Sequence, residues 1–115
     1  MQIGLLSDTH NSRDNTRRAL DVFRERGVSR LIHCGDFTSP EIILLFAGWD
    51  VTFVLGNGDY AQAELADAAR QIGVQPPQRS RELEIDGVRI GVTHGHDLDL
   101  LYRMMFSGRF TYLCH

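Results

Sequence analysis

Strand-like and helix-like stretches alternate through the first 73 residues, and this alternation restricts the fold more than any other feature of the chain. Residues 2–6, QIGLL, form a short apolar run suited to a buried strand. Ser12 or Asp14 caps a helix running through Arg26, with Thr16, Leu20 and Phe23 on one face and Gly27 as its stop. Residues 30–34 read as a second strand. Ser39-Pro40-Glu41 is a helix start, with a cap, a first-turn proline and an early carboxylate. Residues 50–55, rich in Val, Thr and Phe, are a third strand, and the alanine-rich stretch 61–72 is a helix ended by Gly73. Strand–helix–strand units of this kind close right-handed and give a parallel sheet.

Past the proline-bearing loop 74–80 the pattern changes. Residues 82–85 and 88–93 flank Asp86-Gly87, a strong hairpin-turn signal that adds an antiparallel element. Residues 97–107 read as a further helix and 109–114 as a last strand. At 115 residues the chain is long enough for a single domain with one modest core. Its formal charge of −3 comes with dispersed Lys and Arg, so no nucleic-acid-binding patch is evident. Cys34 and Cys114 make no disulfide framework, and reduced thiols in a cytosol are the expectation. The N-terminal stretch lacks the basic start of a signal peptide, and nothing approaches the roughly 18 apolar residues of a membrane span. A cytoplasmic protein with no membrane partner is therefore expected.

Polar residues with ligand chemistry follow strand after strand. The first strand runs into Asp8-Thr9-His10, the second into Gly35-Asp36, the third into Asn57-Gly58-Asp59, and the second hairpin strand into His94-Gly95-His96. In an open α/β sheet the carboxyl ends of parallel strands share one rim, where ligands bind. Asp8, His10, Asp36, Asn57 and His94 are thus expected to converge. Their mixed oxygen and nitrogen donors suit Mn²⁺, Fe²⁺, Zn²⁺, Co²⁺ or Ni²⁺. Gathered carboxylates repel unless cations relieve them, and one carboxylate can bridge a metal pair about 3.5–4 Å apart.

The motifs D-x-H, G-D, G-N-x-D and T-H-G-H, in this order, resemble those of the calcineurin-like metallophosphoesterases, in particular their small prokaryotic phosphodiesterase branch. The likeness covers essentially the whole chain. It implies a four-layer-type α/β sandwich with mixed sheets flanked by helices. It also implies two divalent metal ions, Mn²⁺ first among them: Asp8 and His10 on one, Asp36 bridging both, Asn57 and His94 on the second. A bridging hydroxide would attack phosphorus in line, giving a metal-dependent phosphoesterase that acts on a small-molecule phosphoester. The alternative is a non-catalytic protein-binding scaffold with the same fold and an eroded metal site.

Two departures from that pattern stand out. Many members carry a proton-donating histidine beside the metal-binding asparagine, where this chain has Gly58. A general acid contributes ~10²–10⁴-fold, so the leaving group would depend on water or His96, which favours phosphodiesters or activated esters. The family pattern also ends in G-H-x-H, whereas this sequence reaches His115 where that motif would begin. The expectation is a domain spanning 1–115 without its last strands, with an exposed apolar face open to homo-oligomerisation.

Several of these residues have simpler readings. Asp59 either orients the groups around the metals, with a catalytic part, or caps the following helix. His96 faces substrate or lies behind the ligands, or is itself a ligand. His33 and Cys34 read as packing residues, and Leu98, Leu101, Met104 and Met105 as helix core. Arg13 and Arg17 read as a solvated helix face sooner than a phosphate contact. Gly56 permits a sharp exit from the strand. Residues 56–61 also fit the G-x-G-x-x-G/A dinucleotide pattern. That fingerprint follows the first strand of its unit, with an acidic residue about 20 positions on at a strand end. Glu82 and Glu84 fall inside the next strand instead, and Asp59 would set a negative charge beside a pyrophosphate.

Overall fold

The computed structural model describes residues 2–115, which form two three-stranded sheets flanked by four helices. β1 (Ile3–Leu6), β2 (Arg30–His33) and β3 (Asp50–Phe53) are parallel in the order β1-β2-β3. α1 (Arg13–Glu25), α2 (Pro40–Leu44) and α3 (Gln62–Gln71) connect and follow them. β4 (Ser80–Ile85) and β5 (Val88–Thr93) form the antiparallel hairpin. α4 (Leu98–Met105) then crosses to β6 (Tyr112–Cys114), which pairs parallel to β5. The hairpin therefore founds a second sheet instead of extending the first. No helix among the described residues is long and apolar enough to cross a membrane.

Side-chain alternation along the strands builds the layers. Leu31, Val51, Phe53 and Leu55 point to one face and pack with Leu20, Ile42, Phe46 and Leu65 from the helices. Ile32, Cys34 and Val54 point the other way and meet Ile85, Ile90 and Val92 of the second sheet. Beyond that sheet, Gly91 lies so close to Met104 and Phe110 that a Cβ there would fall 3.0 and 2.9 Å from their side chains. α4 thus covers the outer face, and the order is helices, sheet, sheet, helix.

The local signals act where the sequence places them. Ser12 Oγ accepts the Asn15 N–H at the start of α1, and Asp97 accepts the Leu100 N–H at the start of α4. Asp86 and Gly87 both take positive φ, 51° and 77°, as a type I′ hairpin turn needs. One expectation is corrected. Leu101 and Met104 are buried, but Leu98 and Met105, two helical turns apart, face solvent, because only one side of α4 touches the sheet. Tyr102 and Phe106 continue that exposed stripe.

β1 and β6 are each one edge strand of their sheets and border an open groove of about 630 Å³. Ile3, Leu5, Ile32, Ile90, Tyr112 and Leu113 line it. Leu5 and Tyr112 are the exposed apolar side chains of this face.

Candidate metal centre

The register of the first sheet brings the chemistry together. Leu6 pairs with His33 and His33 with Phe53, so the three parallel strands end level. Asp8, Asp36 and the 56–59 turn follow within a few residues and occupy one rim. Backbone bonds then lock the turns to each other. The Asp8 N–H donates to Gly35 O at 2.9 Å, and the His10 N–H to Asp36 O at 2.8 Å. These turns are contorted: Asp8, His10, Asp36 and Thr38 have φ of 55°, 48°, 61° and 73°. Left-handed backbone is uncommon outside glycine, and such strain collects at functional sites.

One ligand atom from each of Asp8, His10 and Asp36 lies within 4.8 Å of the others. His94 reaches them from the end of β5 in the other sheet. Its Nε2 is 3.5 Å from Asp36 Oδ2 and 4.0 Å from Asp8 Oδ1. Its Nδ1 sits 2.7 Å from the Cys34 carbonyl oxygen. A carbonyl only accepts, so Nδ1 carries a proton, and in the neutral ring the lone pair then belongs to Nε2, which faces the carboxylates. That arrangement fixes tautomer and ring plane, as metal-ligating histidines require. Asp8 and His10 are exposed, whereas the Asp36 and His94 side chains are about 9% and 10% accessible. The donors present fit divalent cations: two carboxylates and two imidazoles, open to solvent on one side only.

Asp36 is held on all sides. Its Oδ1 accepts the Gly58 N–H at 2.7 Å, and its own N–H donates to Asp59 Oδ2 at 2.8 Å. Asp59 is buried and also accepts the N–H groups of Gly56 at 2.8 Å and Thr38 at 2.7 Å. It does not cap α3, whose N-cap residue Ala61 makes no side-chain capping bond. Both its oxygens face backbone, so its geometry is that of a positioning group, not of one that meets substrate. Asn57 is exposed between the two glycines that touch Asp36. His96 is exposed, with its ring centroid 5.4 Å from that of His94. Arg13 and Arg17 lie on the solvent side of α1.

Gly56 has a role different from the one expected. Its φ is not positive, and the reason for a glycine is proximity. A Cβ there would stand 2.1 Å from Asp36 Oδ1 and 2.5 Å from Asp36 N. Gly35 faces it across the same gap, where a Cβ would be 2.7 Å from Gly56 N. The two strand-end turns touch backbone to backbone.

Sequence reasoning set aside two residues that the site uses. His33 is fully buried, and its Nδ1 accepts the Gly35 N–H at 3.1 Å. Its Nε2 therefore carries the proton and donates to Thr9 Oγ1 at 2.9 Å, tying the D-x-H turn to the next strand. Burial pushes the His33 imidazole pKa down to about 3, so it stays neutral. The available signal was its polarity inside an apolar strand, since a buried imidazole must find partners. Cys34 contributes its carbonyl, which no side-chain pattern announces, and burial raises its thiol to about 12.

Comparison with known proteins identifies the family and the fold. A family model described as the calcineurin-like phosphoesterase superfamily domain matches residues 1–113. A phosphodiesterase of Methanocaldococcus jannaschii is 32% identical over 111 residues, 94% of this chain and 67% of that protein. A probable metallophosphoesterase of Methanothermobacter thermautotrophicus is 36% identical over 99 residues, 83% of this chain and 50% of that one. The chain therefore spans between half and two thirds of these relatives. The solved structure of an archaeal phosphodiesterase superposes with a TM-score of 0.86 at 31% identity, covering 98% of this chain and 70% of the other. An Escherichia coli phosphoesterase shares the fold, with a TM-score of 0.65 at 22% identity over 84% of this chain and 58% of its own. The chain belongs to the calcineurin-like phosphoesterase superfamily, and its two helix-flanked sheets are the fold of the archaeal phosphodiesterase.

Proposed function

We propose that residues 1–115 form one metal-dependent phosphoesterase domain whose substrate is a phosphodiester. The observation that carries this reading is the convergence of Asp8, His10 and Asp36 within 4.8 Å, with His94 Nε2 directed at the same carboxylates. Asp8 and His10 would hold one cation, Asn57 and His94 a second, and Asp36 both. Bound there, the cations would supply an activated water at neutral pH and offset charge developing on phosphorus.

The chain's own residues do the rest. Cys34 O keeps the His94 proton on Nδ1, so Nε2 is free to ligate. Gly58 leaves only a backbone N–H beside Asp36, so no side chain there protonates a leaving group. A leaving group would then depend on water or on exposed His96 for its proton, which favours diesters with good leaving groups. Mn²⁺ is the first choice of metal, ahead of Ni²⁺, Fe²⁺, Co²⁺ and Zn²⁺, and a cytoplasmic location accompanies the reading.

Mn²⁺-loaded protein should hydrolyse a bis-aryl phosphodiester, with the rate abolished by excess chelator and by Asp36→Ala. Full activity in chelator, or an unaffected Asp36→Ala, refutes it. The open apolar groove between β1 and β6 favours one other reading, a protein-binding scaffold on the same fold. Elemental analysis separates the two, because a scaffold would carry well below one equivalent of metal.

A further inference from the structure

We infer that Asp59 is a positioning residue whose carboxylate clamps the strained 36–38 turn and thereby sets the affinity of the site for its cations. The inference rests on the reading of Asp36 as a metal ligand. Asp59 is 3% exposed, and its two oxygens accept three backbone N–H groups from two separate turns. Those from Asp36 and Thr38 belong to the turn after β2, and that from Gly56 to the turn after β3. A carboxylate accepting three charge-assisted bonds is held far more firmly than a neutral acceptor would be.

What it holds is unfavourable backbone. Asp36 sits at φ 61° and Thr38 at φ 73°. A β-branched residue at positive φ is a genuine outlier that persists only where its surroundings enforce it. Released from Asp59, Thr38 would relax toward negative φ. The Asp36 carboxylate would then swing away from Gly58 N and His94 Nε2, which it now meets at 2.7 and 3.5 Å. A neutral amide at position 59 keeps the shape, but its NH₂ faces an N–H donor.

Calorimetric Mn²⁺ titration of Asp59→Asn, carried out well below its unfolding temperature, should show affinity weakened about 10–100-fold. A purely structural role would lower the unfolding temperature and leave affinity intact. Adding Thr38→Gly removes the strain, so the double variant should recover part of the lost affinity. In the wild type, the Asp36, Thr38 and Gly56 amides should exchange with deuterium slowly and as a group, a measurement that needs no variant to fold. Asp59→Asn binding Mn²⁺ within twofold of wild type, while Asp36→Ala loses it, overturns the clamp alone. Unchanged binding in Asp36→Ala removes the metal-site reading and the clamp together. Any of the three amides exchanging as fast as an open loop also overturns it.

Discussion

Gly56→Ala tests the packing of the site directly, because it adds one methyl group where, of all the glycines, there is least room for it. The new Cβ would stand 2.1 Å from Asp36 Oδ1 and 2.5 Å from Asp36 N, where an ordinary contact begins at 3.4 Å. The carboxylate oxygen would have to withdraw by the difference, 3.4 − 2.1 = 1.3 Å. Backbone cannot yield as a flexible side chain does, so the turns after β2 and β3 must separate. Overpacking of this kind costs about 1–3 kcal/mol. The Gly56 N–H and Asp36 N–H bonds to Asp59 would stretch with it, at about 1 kcal/mol each. The sum, about 3–5 kcal/mol, lowers the melting temperature of a domain this size by roughly 12–20 °C. A ligand displaced by about 1 Å also costs ~10²-fold in rate. Thermal unfolding by circular dichroism reads the first effect, and Mn²⁺ titration with diester hydrolysis reads the second. Gly58→Ala is the control: its Cβ would meet Asp36 Oδ1 at 3.2 Å, a clash relieved by a few tenths of an ångström. If Gly56→Ala melts and binds metal like Gly58→Ala, the close-approach argument is refuted.

Two further expectations concern stability. His33 is neutral and buried with its pKa lowered to about 3, whereas the unfolded chain takes up that proton near 6.5. Stability from this group is intact above pH 6.5 and is lost at about 1.4 kcal/mol per pH unit as pH falls toward 3. Urea unfolding at pH 7, 5.5 and 4.5 should show a steeper decline for wild type than for His33→Gln, and equal slopes would refute it. Ser12→Ala removes the cap on the Asn15 N–H and should cost about 1 kcal/mol by denaturant unfolding. Its Mn²⁺ affinity should not change, since α1 meets the site only through its preceding turn.

Most of the secondary structure could be read locally, because its signals are local. Apolar runs, the Ser12 cap and Asp86-Gly87 all act within a few residues, and the elements formed where these stood. The pairing of the hairpin could not be read that way. Whether β4 and β5 joined the first sheet or began another depended on Ile85, Ile90 and Val92 packing onto Ile32, Cys34 and Val54. α4 shows the same limit. Its sequence has two apolar faces, and only the position of the second sheet selects Leu101 and Met104 for burial over Leu98 and Met105.

At the site, strand ends in a parallel sheet share a rim, and Asp8, His10 and Asp36 do lie together there. Chain direction brings Asp8 and Asp36 to one rim, whereas His94 arrives from β5 only because the second sheet packs on the first. What only the tertiary structure decided is how these side chains are held. The Cys34 carbonyl chooses the His94 tautomer, and Asp59 turns its carboxylate back onto three amides. Gly35 and Gly56 let two backbones touch. The physical reason is that these constraints are made of backbone atoms brought together from distant segments, and backbone groups are the same in every residue. Sequence specifies which side chains arrive at the rim, and packing specifies the direction in which each one points.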